Sequence, residues 1–428
     1  MQTQITAALR GTEAGDAAAA IIGKCVHCGF CLATCPTYRL SGDELDGPRG
    51  RIYLMKQVVE GREPTAKTQL HLDRCLTCRA CETNCPSGVQ YARLLDIGRD
   101  LVASKVQRTP LQRLVRSSLR FTLTRPRLFA ALLAAGRALR VVLPRRLRVR
   151  IPPQPPMLSP RSPPPSPVPA SERPPSRPRK MLLLAGCVQP ALAPNINAAT
   201  TRVLGALGID AVIAPAAGCC GAMRHHLDDQ PGALTEARRN IDAWWPWCES
   251  GVEAIVTNAS GCGTMVRDYG HLLRHDNLYA AKAARVSGLA RDLAEIVTPH
   301  CADLRATLAN AAAKARVVFQ APCSLQHGQK LPGIVEALLI ALGVELLPSA
   351  DAQQCCGSAG TYSMLQSVMS ESLRARKLEA LNSGHPGIIL SANIGCIVHL
   401  AAATPVPVRH WIEWVDELLA VKEASLQH

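Results

Sequence analysis

Cys25-Val-His-Cys28-Gly-Phe-Cys31-Leu-Ala-Thr-Cys35-Pro36 decides the fold, and Cys75-Leu-Thr-Cys78-Arg-Ala-Cys81-Glu-Thr-Asn-Cys85-Pro86 repeats its spacing fifty residues later. Three thiolates two residues apart can wrap one face of a [4Fe–4S] cubane, whereas the fourth, before proline, leaves that loop and ligates the other cluster in two-cluster proteins. The spacing therefore predicts two [4Fe–4S] clusters with exchanged fourth ligands. The predicted ligands are Cys25, Cys28, Cys31 and Cys85 for cluster 1, and Cys75, Cys78, Cys81 and Cys35 for cluster 2.

Paired zinc sites and structural disulfides are the alternatives for these eight cysteines. Zinc ribbons do not need eight cysteines in a doubled three-plus-one pattern, which favours the clusters. Between the motifs, residues 52–59 form an apolar helical pattern that we expect to pack over the clusters. Arg49 and Arg51 could offset cluster charge or contact a partner, but a solvated helix start is the simpler interpretation.

The composition of the chain is that of a multidomain protein in a reducing compartment. Its 428 residues suggest two to four domains, and 47% of them are apolar. Eighteen cysteines could instead staple a secreted protein, but the apolar run 17–22 is too short for a signal peptide. We therefore expect a cytoplasmic location. No membrane-spanning helix is expected, because Arg137 and Arg140 interrupt the best candidate, 128–143.

The formal charge of +15 is concentrated in one segment. No acidic residue lies between Asp100 and Glu172, and apolar residues recur at helical spacing over 110–143, which predicts two helices broken near Pro126. Such helices could form a membrane-surface face, a docking face for an acidic partner or a nucleic-acid patch. The apolar periodicity and the lack of interleaved aromatic residues favour the first two, with no nucleic acid expected. A peripheral position on the inner face of the cytoplasmic membrane is therefore one option.

The rest of the chain is organised by a proline-rich linker and an internal repeat. Residues 151–180 contain thirteen prolines, which favour an extended tether, so we expect the second half to fold independently. Beyond it, Cys-Cys-Gly occurs twice, each time 32 residues after an isolated cysteine and 42 or 40 residues before another. The two sets are Cys187, Cys219, Cys220 and Cys262, and Cys323, Cys355, Cys356 and Cys396.

A short β-branched or leucine-rich run precedes each of these cysteine groups. The predicted strands are 180–185, 210–214 and 254–257 in the first repeat, and 315–319, 344–347 and 387–390 in the second. Helical patterns alternate with them at 198–207, 234–244, 334–342 and 369–381, which predicts parallel sheets. Because ligands bind at the carboxyl ends of parallel strands, the four cysteines of each repeat should converge there. Gly221 and Gly357 fit a turn with an unusual backbone angle.

Three interpretations of the repeat cysteines stay open: a further iron–sulfur cluster or metal, thiol redox chemistry, or buried free thiols in a duplicated fold. Cys248 and Cys301 match nothing in the partner repeat and are expected to be core or surface thiols. The histidines near the loops are expected to be structural; they are His225, His226, His327 and His385. The sequence contains no Ser–His–acid set, Walker loop or dinucleotide fingerprint, so no catalytic residue and no flavin or nicotinamide site is expected.

Taken together, these features resemble the family of the glycolate oxidase iron-sulfur subunit over nearly the whole chain. The resemblance is most specific in the stretches Cys25–Tyr38, Gly47–Ile52, His71–Cys78 and Cys355–Tyr362. It implies a complex in which flavin-containing subunits oxidise glycolate to glyoxylate while this subunit, without a flavin, passes electrons toward a quinone-type acceptor. Related chains serve lactate utilisation, anaerobic glycerol-3-phosphate oxidation and heterodisulfide reduction.

One departure from those relatives is informative. In heterodisulfide reductases each repeat ends in Cys-x-x-Cys and offers five thiolates, whereas the additional positions here are Ala259 and Asn393. Each repeat therefore offers four, which weakens a transfer of disulfide-reducing chemistry. A thiol or disulfide reductase using the Cys-Cys-Gly repeats, and a basic nucleic-acid-binding protein with structural clusters, are the alternative functions.

The sequence thus predicts an α+β multidomain chain: a helical two-cluster ferredoxin-like domain followed by a duplicated α/β parallel-sheet, cysteine-rich domain. The expected boundaries are 15–100 for the cluster domain, 101–150 for the basic helical segment, 151–179 for the linker, 180–300 for the first repeat and 314–424 for the second.

Overall fold

The structure, a computed structural model, describes residues 1–142, 144, 151–152, 179–307 and 316–426. Within them, a helical N-terminal half precedes a half built on two parallel sheets, which confirms the α+β fold class. The predicted linker, except at its ends, and the last residues of the basic segment lie outside the described residues. No described helix combines the length and the apolar character needed to cross a bilayer.

Nine helices cover the described part of the N-terminal half. Four of them begin at proline, whose fixed φ suits the first helical turn. The predicted break near Pro126 is confirmed, because one helix ends at Leu123 and the next begins at Pro126. The helices are α1 Glu13–Lys24, α2 Phe30–Ala33, α3 Pro36–Ser41, α4 Pro48–Val59, α5 Ala66–Asp73, α6 Ala80–Thr83, α7 Tyr91–Lys105, α8 Pro110–Leu123 and α9 Pro126–Ala138.

The core of this half joins α1, α4 and α7. Ile22, Met55, Leu94 and Leu95 are all fully or almost fully buried in one cluster. The apolar pattern after the first cysteine motif is thus a core helix, as the sequence predicts. Around this core the two cysteine loops are held at fixed positions.

The C-terminal half contains two parallel sheets with strand orders β2-β1-β3-β4 and β5-β6-β7. Strands β3, β5 and β6 are buried at every residue, as expected for strands covered on both faces. The strands are β1 Arg179–Leu183, β2 Ile209–Val212, β3 Ala254–Thr257, β4 Ala290–Asp292, β5 Val317–Gln320, β6 Ile388–Ser391 and β7 Val408–His410.

The two repeats follow one plan with one difference. In the second repeat the predicted strand 344–347 is wrong as a strand, since only Leu346 makes an isolated parallel bridge, to Val317. Pro348 follows directly and has no N–H to extend the ladder. The bridge occupies the position that β2 holds beside β1, so both sheets keep the same order.

Helices connect these strands and cover both sheets. The predicted helical patterns are all confirmed as parts of longer or similar helices. The helices are α10 Gln189–Leu192, α11 Pro194–Ala206, α12 Ala222–His226, α13 Gln230–Glu249, α14 Ser260–Arg267, α15 Tyr269–Leu272, α16 Ala280–Leu289, α17 Leu293–Val297, α18 Cys301–Thr307, α19 Ile334–Ala341, α20 Tyr362–Leu365, α21 Ser367–Asn382, α22 Ile394–Ala401 and α23 Trp411–Leu426.

Both repeats share one hydrophobic core. It includes Met181 and Val256 from the first sheet, Val317 and Leu390 from the second, and the fully buried Trp411. The repeats are therefore a single packed unit and not two separate lobes.

Ion pairs join the N-terminal half to this unit. Arg79 and Arg93 donate to the two carboxylate oxygens of Asp268 at 2.5 and 2.8 Å. Arg108 and Arg116 similarly meet Asp228 at 2.7 and 3.0 Å. The two halves are thus in direct contact, in addition to being connected by the linker.

We expect Asp268→Asn to weaken this contact. Burial opposes ionisation of Asp268, but Arg79 and Arg93 outweigh burial and hold the pKa of its carboxyl below its usual value. The substitution leaves two arginines without their carboxylate and should lower the free energy of unfolding by about 3 kcal/mol at neutral pH, measured by urea denaturation.

The pH dependence provides a check. A carboxyl with a lowered folded pKa stabilises the protein fully above its unfolded pKa, and that stabilisation is lost as the pH falls through the folded pKa. The difference between wild type and Asp268→Asn should therefore shrink below about pH 4. The control is Asp351→Asn, which removes an exposed pair with Arg39 and should cost less than about 1 kcal/mol. Equal losses in both variants would contradict the prediction.

Candidate functional site

The first cysteine loop is shaped by its backbone. Cys25 follows the last residue of α1, and His27 and Gly29 then adopt left-handed conformations with φ of 55° and 87°. The chain enters α2 directly afterwards, and Cys35 caps the N-terminus of α3. Two left-handed residues in three positions reverse the chain tightly enough to turn successive cysteines toward one point.

The second loop has the same shape. Thr77 and Arg79 have φ of 54° and 60°, and α6 follows as α2 follows the first loop. Arg79 occupies the position of Gly29, where a side chain is strained, and its ion pair with Asp268 offsets that strain. The two loops face each other because α2 packs against α6.

The structure places the fourth cysteine of each motif beside the other motif. Cys85 lines one small cavity together with Cys25, Cys28 and Cys31. Cys35 does not line that cavity, and it lies close to Cys81, because burial chiefly, and then the charges of Cys78, Cys75 and Cys35, raises the pKa of the Cys81 thiol well above its usual value. The pKa of Cys31 is also raised, chiefly by burial, and the charge of Cys35 contributes to that shift too. Cys81 also reaches the first cavity, so the two groups of four are immediate neighbours.

Arg51 was expected at a solvated helix start, and that expectation is wrong. Its side chain is 1% exposed and donates to the His71 carbonyl at 2.7 Å and to Thr37 Oγ1 at 3.2 Å. Thr37 Oγ1 in turn lies 3.3 Å from Cys35 Sγ. Burial alone would lower the pKa of Arg51, but Tyr91, Cys75, Cys35 and Asp46 outweigh it and raise that pKa.

Arg51 is therefore a buried cation beside the second thiol group. A sequence signal for this existed, because Arg51 precedes Met55 by four residues and Val58 by seven, which places it on the buried stripe of α4. Arg49, in contrast, is half-exposed and pairs with Glu44 at 2.6 Å.

In the first repeat, the loops after β1 and β2 and the helix α14 after β3 bring four thiols together. Hydrogen bonds connect Cys187 to Cys219, Cys219 to Cys220 and Cys220 to Cys262. The hydrogen bonds from Cys187 and Cys220, and that from the Gly221 amide, lower the pKa of Cys219 well below its usual value. The predicted convergence of these thiols is thus present in the structure.

The second repeat forms an equivalent group. Cys323 follows β5 and lies 3.8 Å, sulfur to sulfur, from Cys355, while Cys356 is hydrogen-bonded to Cys396 in α22. The hydrogen bond to Cys355, and then burial, raises the pKa of Cys323 well above its usual value. For Cys356 the hydrogen bond with Cys355 lowers the pKa, but the hydrogen bond with Cys396 and burial outweigh it, so the pKa is again raised well above its usual value.

The glycine of each Cys-Cys-Gly is required by geometry. Gly221 and Gly357 have φ of 93° and 88°, which confirms the predicted unusual backbone angle. A Cβ at Gly357 would lie 2.6 Å from the carbonyl oxygen of Ser370, and one at Gly221 would lie 2.9 Å from that of Ala233. Glycine therefore lets the helix that follows approach the paired thiols.

Both thiol groups face one large cavity of 1390 Å³. Seven of the eight repeat cysteines line it, and so does Cys78 from the N-terminal half. Cys78 is close enough to Cys323 that the charge of that thiol, after burial, raises the Cys78 pKa well above its usual value. No local sequence signal could have indicated this contact, because it joins segments more than 200 residues apart.

The remaining candidates have other roles. His225 and His226 line the large cavity, whereas His327 is hydrogen-bonded to Thr83 Oγ1 at 3.0 Å and His385 is exposed. Cys248 and Cys301 pack against the hydrophobic cores.

The donor chemistry was tested for fit with metal centres. All eighteen cysteines are described and are free thiols, and groups of four sulfur donors suit iron–sulfur clusters. Asp43, Asp46 and His71 also converge, but Arg51 and Arg74 already pair with Asp46 at 3.7 and 2.9 Å. The carboxylate of Asp46 is therefore already neutralised by two arginines of the protein. The groups of four cysteine thiols fit iron–sulfur clusters better than this site fits a metal ion.

Comparisons with known proteins agree with this chemistry. The 4Fe-4S dicluster domain family matches residues 21–89, and the Cysteine-rich domain family matches residues 181–267 and 317–401. The glycolate oxidase iron-sulfur subunit of Escherichia coli (strain K12) is 51% identical over 420 residues, covering 98% of this chain and 99% of that protein. The chain belongs to the glycolate oxidase iron-sulfur subunit family.

Two further relatives show the range of similarity. A probable glycolate oxidase iron-sulfur subunit of Bacillus subtilis (strain 168) is 32% identical over 400 residues, covering 88% of each chain. Lactate utilization protein A of Bacillus cytotoxicus is 25% identical over 224 residues, covering 52% of this chain and 90% of that protein. Membership in the glycolate oxidase iron-sulfur subunit family identifies the chain as an iron–sulfur component of an oxidoreductase complex.

We expect Arg51→Gln to lower the reduction potential of the centre held near Cys35 and Cys75. A buried cation stabilises the reduced, more negative state, so its loss should shift the midpoint by about 60 mV or more, a tenfold change in a one-electron equilibrium constant. The measurement is an EPR-monitored redox titration of the purified holoprotein.

Two matched variants separate charge from folding. Arg51→Lys keeps the cation and should recover most of the potential, whereas Arg49→Gln removes an exposed cation and should shift it much less. If Arg51→Gln lowers the melting temperature but leaves the midpoint unchanged, Arg51 has only a structural role.

Proposed function

We propose that this chain relays electrons from flavin-containing partner subunits, which oxidise glycolate to glyoxylate, toward a quinone-type acceptor. The substrate follows from the similarity to the glycolate oxidase subunits. A flavin takes two electrons from a 2-hydroxy acid, whereas an iron–sulfur cluster carries one at a time, so the role requires no general base on this chain.

One observation supports the relay best: the thiol groups form an unbroken series from the surface to the large cavity. Cys28 is exposed, and Val26 and Phe30 beside it are 68% and 65% exposed, which suits docking of a partner subunit. The second group lies behind the first, and its Cys78 reaches Cys323 of the second repeat. Electrons can thus enter at one end and leave at the other.

The residues proposed to hold the two [4Fe–4S] clusters are Cys25, Cys28, Cys31 and Cys85, and Cys75, Cys78, Cys81 and Cys35. The protein's own contribution is to exclude water and to offset charge. Leu76 and Tyr91 are buried against the second group, and Tyr91 Oη donates to Cys75 Sγ at 3.7 Å. Arg51 supplies the buried positive charge.

We further propose that each repeat can hold an additional cluster or metal through its four thiols. The position of a fifth thiol is taken by Asn393 in the second repeat, which donates to Cys396 Sγ at 3.6 Å and accepts from the Gly261 amide at 3.4 Å. The equivalent Ala259 is buried in the shared core. Each repeat thus presents four sulfur donors.

Two alternatives have specific support. The similarity to lactate utilization protein A favours another 2-hydroxy acid as the substrate of the complex. Thiol redox chemistry is favoured by the lowered pKa of Cys219, but that side chain is 0% exposed, so an external disulfide has no direct access to it. The relay is therefore the better supported function.

The exchanged ligands can be tested by single substitutions. We expect Cys85→Ser to perturb the EPR signal of the centre that Cys25, Cys28 and Cys31 hold, and Cys35→Ser to perturb the other signal. Cys248→Ser, a core thiol outside all groups, is the control and should leave both signals intact. If Cys85→Ser affected only the Cys75–Cys81 centre, the exchanged assignment would be wrong.

The relay itself can be tested by iron analysis and reconstitution. About eight irons per chain would indicate the two ferredoxin-type clusters alone, and about twelve or more would place iron in the repeats.

Co-expressed with its neighbouring flavoprotein subunits, the chain should be required for glycolate-dependent reduction of a quinone. Undiminished quinone reduction by the flavoprotein subunits without this chain would refute the proposal, and a preference for lactate over glycolate would change the substrate.

A further inference from the structure

Helix α8 exposes part of its apolar surface. It buries Leu123 and an arginine, Arg116, which is 7% exposed and pairs with Asp73 and Asp228 at 3.1 and 3.0 Å. Its leucines Leu111 and Leu114 are instead 69% and 67% exposed. Amphipathic helices of soluble domains normally bury their apolar side chains, but the ion pairs of Arg116 orient α8 so that these two leucines face outward.

The same surface continues along α9 and is strongly basic. Leu132 and Leu139 are 51% and 55% exposed. Arg113, Arg125 and Arg127 are exposed, and no acidic residue occurs anywhere from 101 to 171. Exposed apolar side chains flanked by arginines are typical of helices that lie in the interface of an anionic bilayer.

The inner sides of α8 and α9 form one wall of the large cavity. Leu119, Leu123, Phe129 and Leu133 line it opposite the thiol loops, and its lining is mostly apolar. At 1390 Å³ it exceeds the roughly 300–1,000 Å³ usual for small-molecule sites. A small, charged hydroxy acid would find few polar partners there, whereas a large lipid-soluble molecule fits the size and the chemistry.

The cavity reaches the surface at the same helices. Val115 of α8 and Leu132 of α9 both line it and are exposed. Its opening therefore adjoins the apolar, basic surface. A molecule dissolved in a bilayer against that surface would enter without crossing water.

Groups able to carry protons also line the cavity. His225 Nε2 lies 3.6 Å from Asp96 Oδ2, and both residues face the space. His226, in contrast, is held neutral, because burial lowers its pKa well below its usual value. The His225–Asp96 pair thus lies within reach of a ligand that the cavity encloses.

We propose that this cavity binds a lipid-soluble quinone, which enters from an anionic bilayer lying against α8 and α9. The reaction balances as quinone plus 2-hydroxy acid giving hydroquinone plus 2-oxo acid: the acid loses two electrons and two protons, and the two quinone oxygens gain them. The proposal rests on the proposed function for its quinone-type acceptor and for the source of the electrons, but binding of the quinone and of the bilayer can each be measured without glycolate or a flavoprotein.

Binding to the bilayer is tested by flotation of the purified full-length protein with vesicles. Wild type should float with phosphatidylcholine vesicles containing phosphatidylglycerol and much less with phosphatidylcholine alone. The double variants Leu111→Ser/Leu114→Ser and Arg113→Glu/Arg127→Glu should each lower the apparent affinity at least about tenfold. Leu278→Ser/Arg285→Glu, on an exposed part of the first repeat, is the matched control and should bind like wild type. Failure of wild type to float, or equal flotation of all variants, would overturn this part.

Occupancy of the cavity is tested by photolabelling with an azido-benzoquinone carrying a decyl tail. Label should map to α8, α9 or the thiol loops, and excess unlabelled decyl-benzoquinone should prevent it. Leu119→Trp and Val115→Trp narrow the cavity and should reduce labelling to the level without light, while Ile340→Trp, exposed elsewhere, should not. Circular dichroism and melting temperature verify that each variant is folded.

The two proposals can fail separately. Labelling does not require glycolate or a flavoprotein, so label lost in the cavity variants supports the quinone site even if the complex oxidises another substrate. Label scattered over the surface, or unchanged in both cavity variants, overturns the site even if glycolate oxidation requires this chain.

Discussion

The carboxylate of Asp268 is the point on which the arrangement of this protein depends. Asp268 caps the C-terminus of α14, the helix that carries Cys262, and its carboxylate receives Arg79 and Arg93 from the N-terminal half. Arg79 itself stands within the second cysteine loop, in a left-handed conformation. One interaction therefore fixes the loop and at the same time brings it against the repeats. Together with the Thr83–His327 hydrogen bond and the packing of Leu76 against Tyr362, it holds Cys78 beside Cys323.

Burial of so many thiols has an electrostatic consequence. Sulfur ligands must be deprotonated to bind metal. Burial, however, raises the pKa of Cys78 and Cys81 well above the usual value of a thiol. The pKa of Cys323 is raised in the same way, chiefly by its hydrogen bond to Cys355 and then by burial. Such groups favour neutral thiols until a cationic centre compensates the charge. The structure supplies part of that compensation itself, through Arg51 beside the second group and through the buried Lys377 near Cys355, Cys356 and Cys396. Four crowded, buried sulfurs are thus better suited to holding a cluster than to existing as thiolates alone.

Much of this fold could be predicted from the sequence because its signals are local. Cysteine spacing, the strands before each cysteine group and the break at Pro126 all depend on residues close together in the chain. The failures depend on distant residues or on a competing local effect. Arg51 is buried because His71 and Thr37 accept its hydrogen bonds, and the strand at 344–347 is reduced to one bridge beside Pro348. The meeting of Cys78 with the second repeat has no local signature at all.

The duplicated repeats also show that equal folds need not have equal roles. Cys219 and Cys355 occupy equivalent positions, and in both a glycine amide donates to the sulfur at 3.4 Å. Hydrogen bonds from Cys187 and Cys220, assisted by Arg239, lower the Cys219 pKa well below its usual value. The pKa of Cys355 is instead raised well above the usual value of a thiol. Its hydrogen bond with Cys323 lowers this pKa, but the hydrogen bond with Cys356, burial and the charge of Cys78 together outweigh that effect. The two sulfur sites of the duplicated fold therefore differ in their charged neighbours, with Arg239 acting on Cys219 and Cys78 acting on Cys355, although both repeats contact the N-terminal half, at Asp268 and at His327.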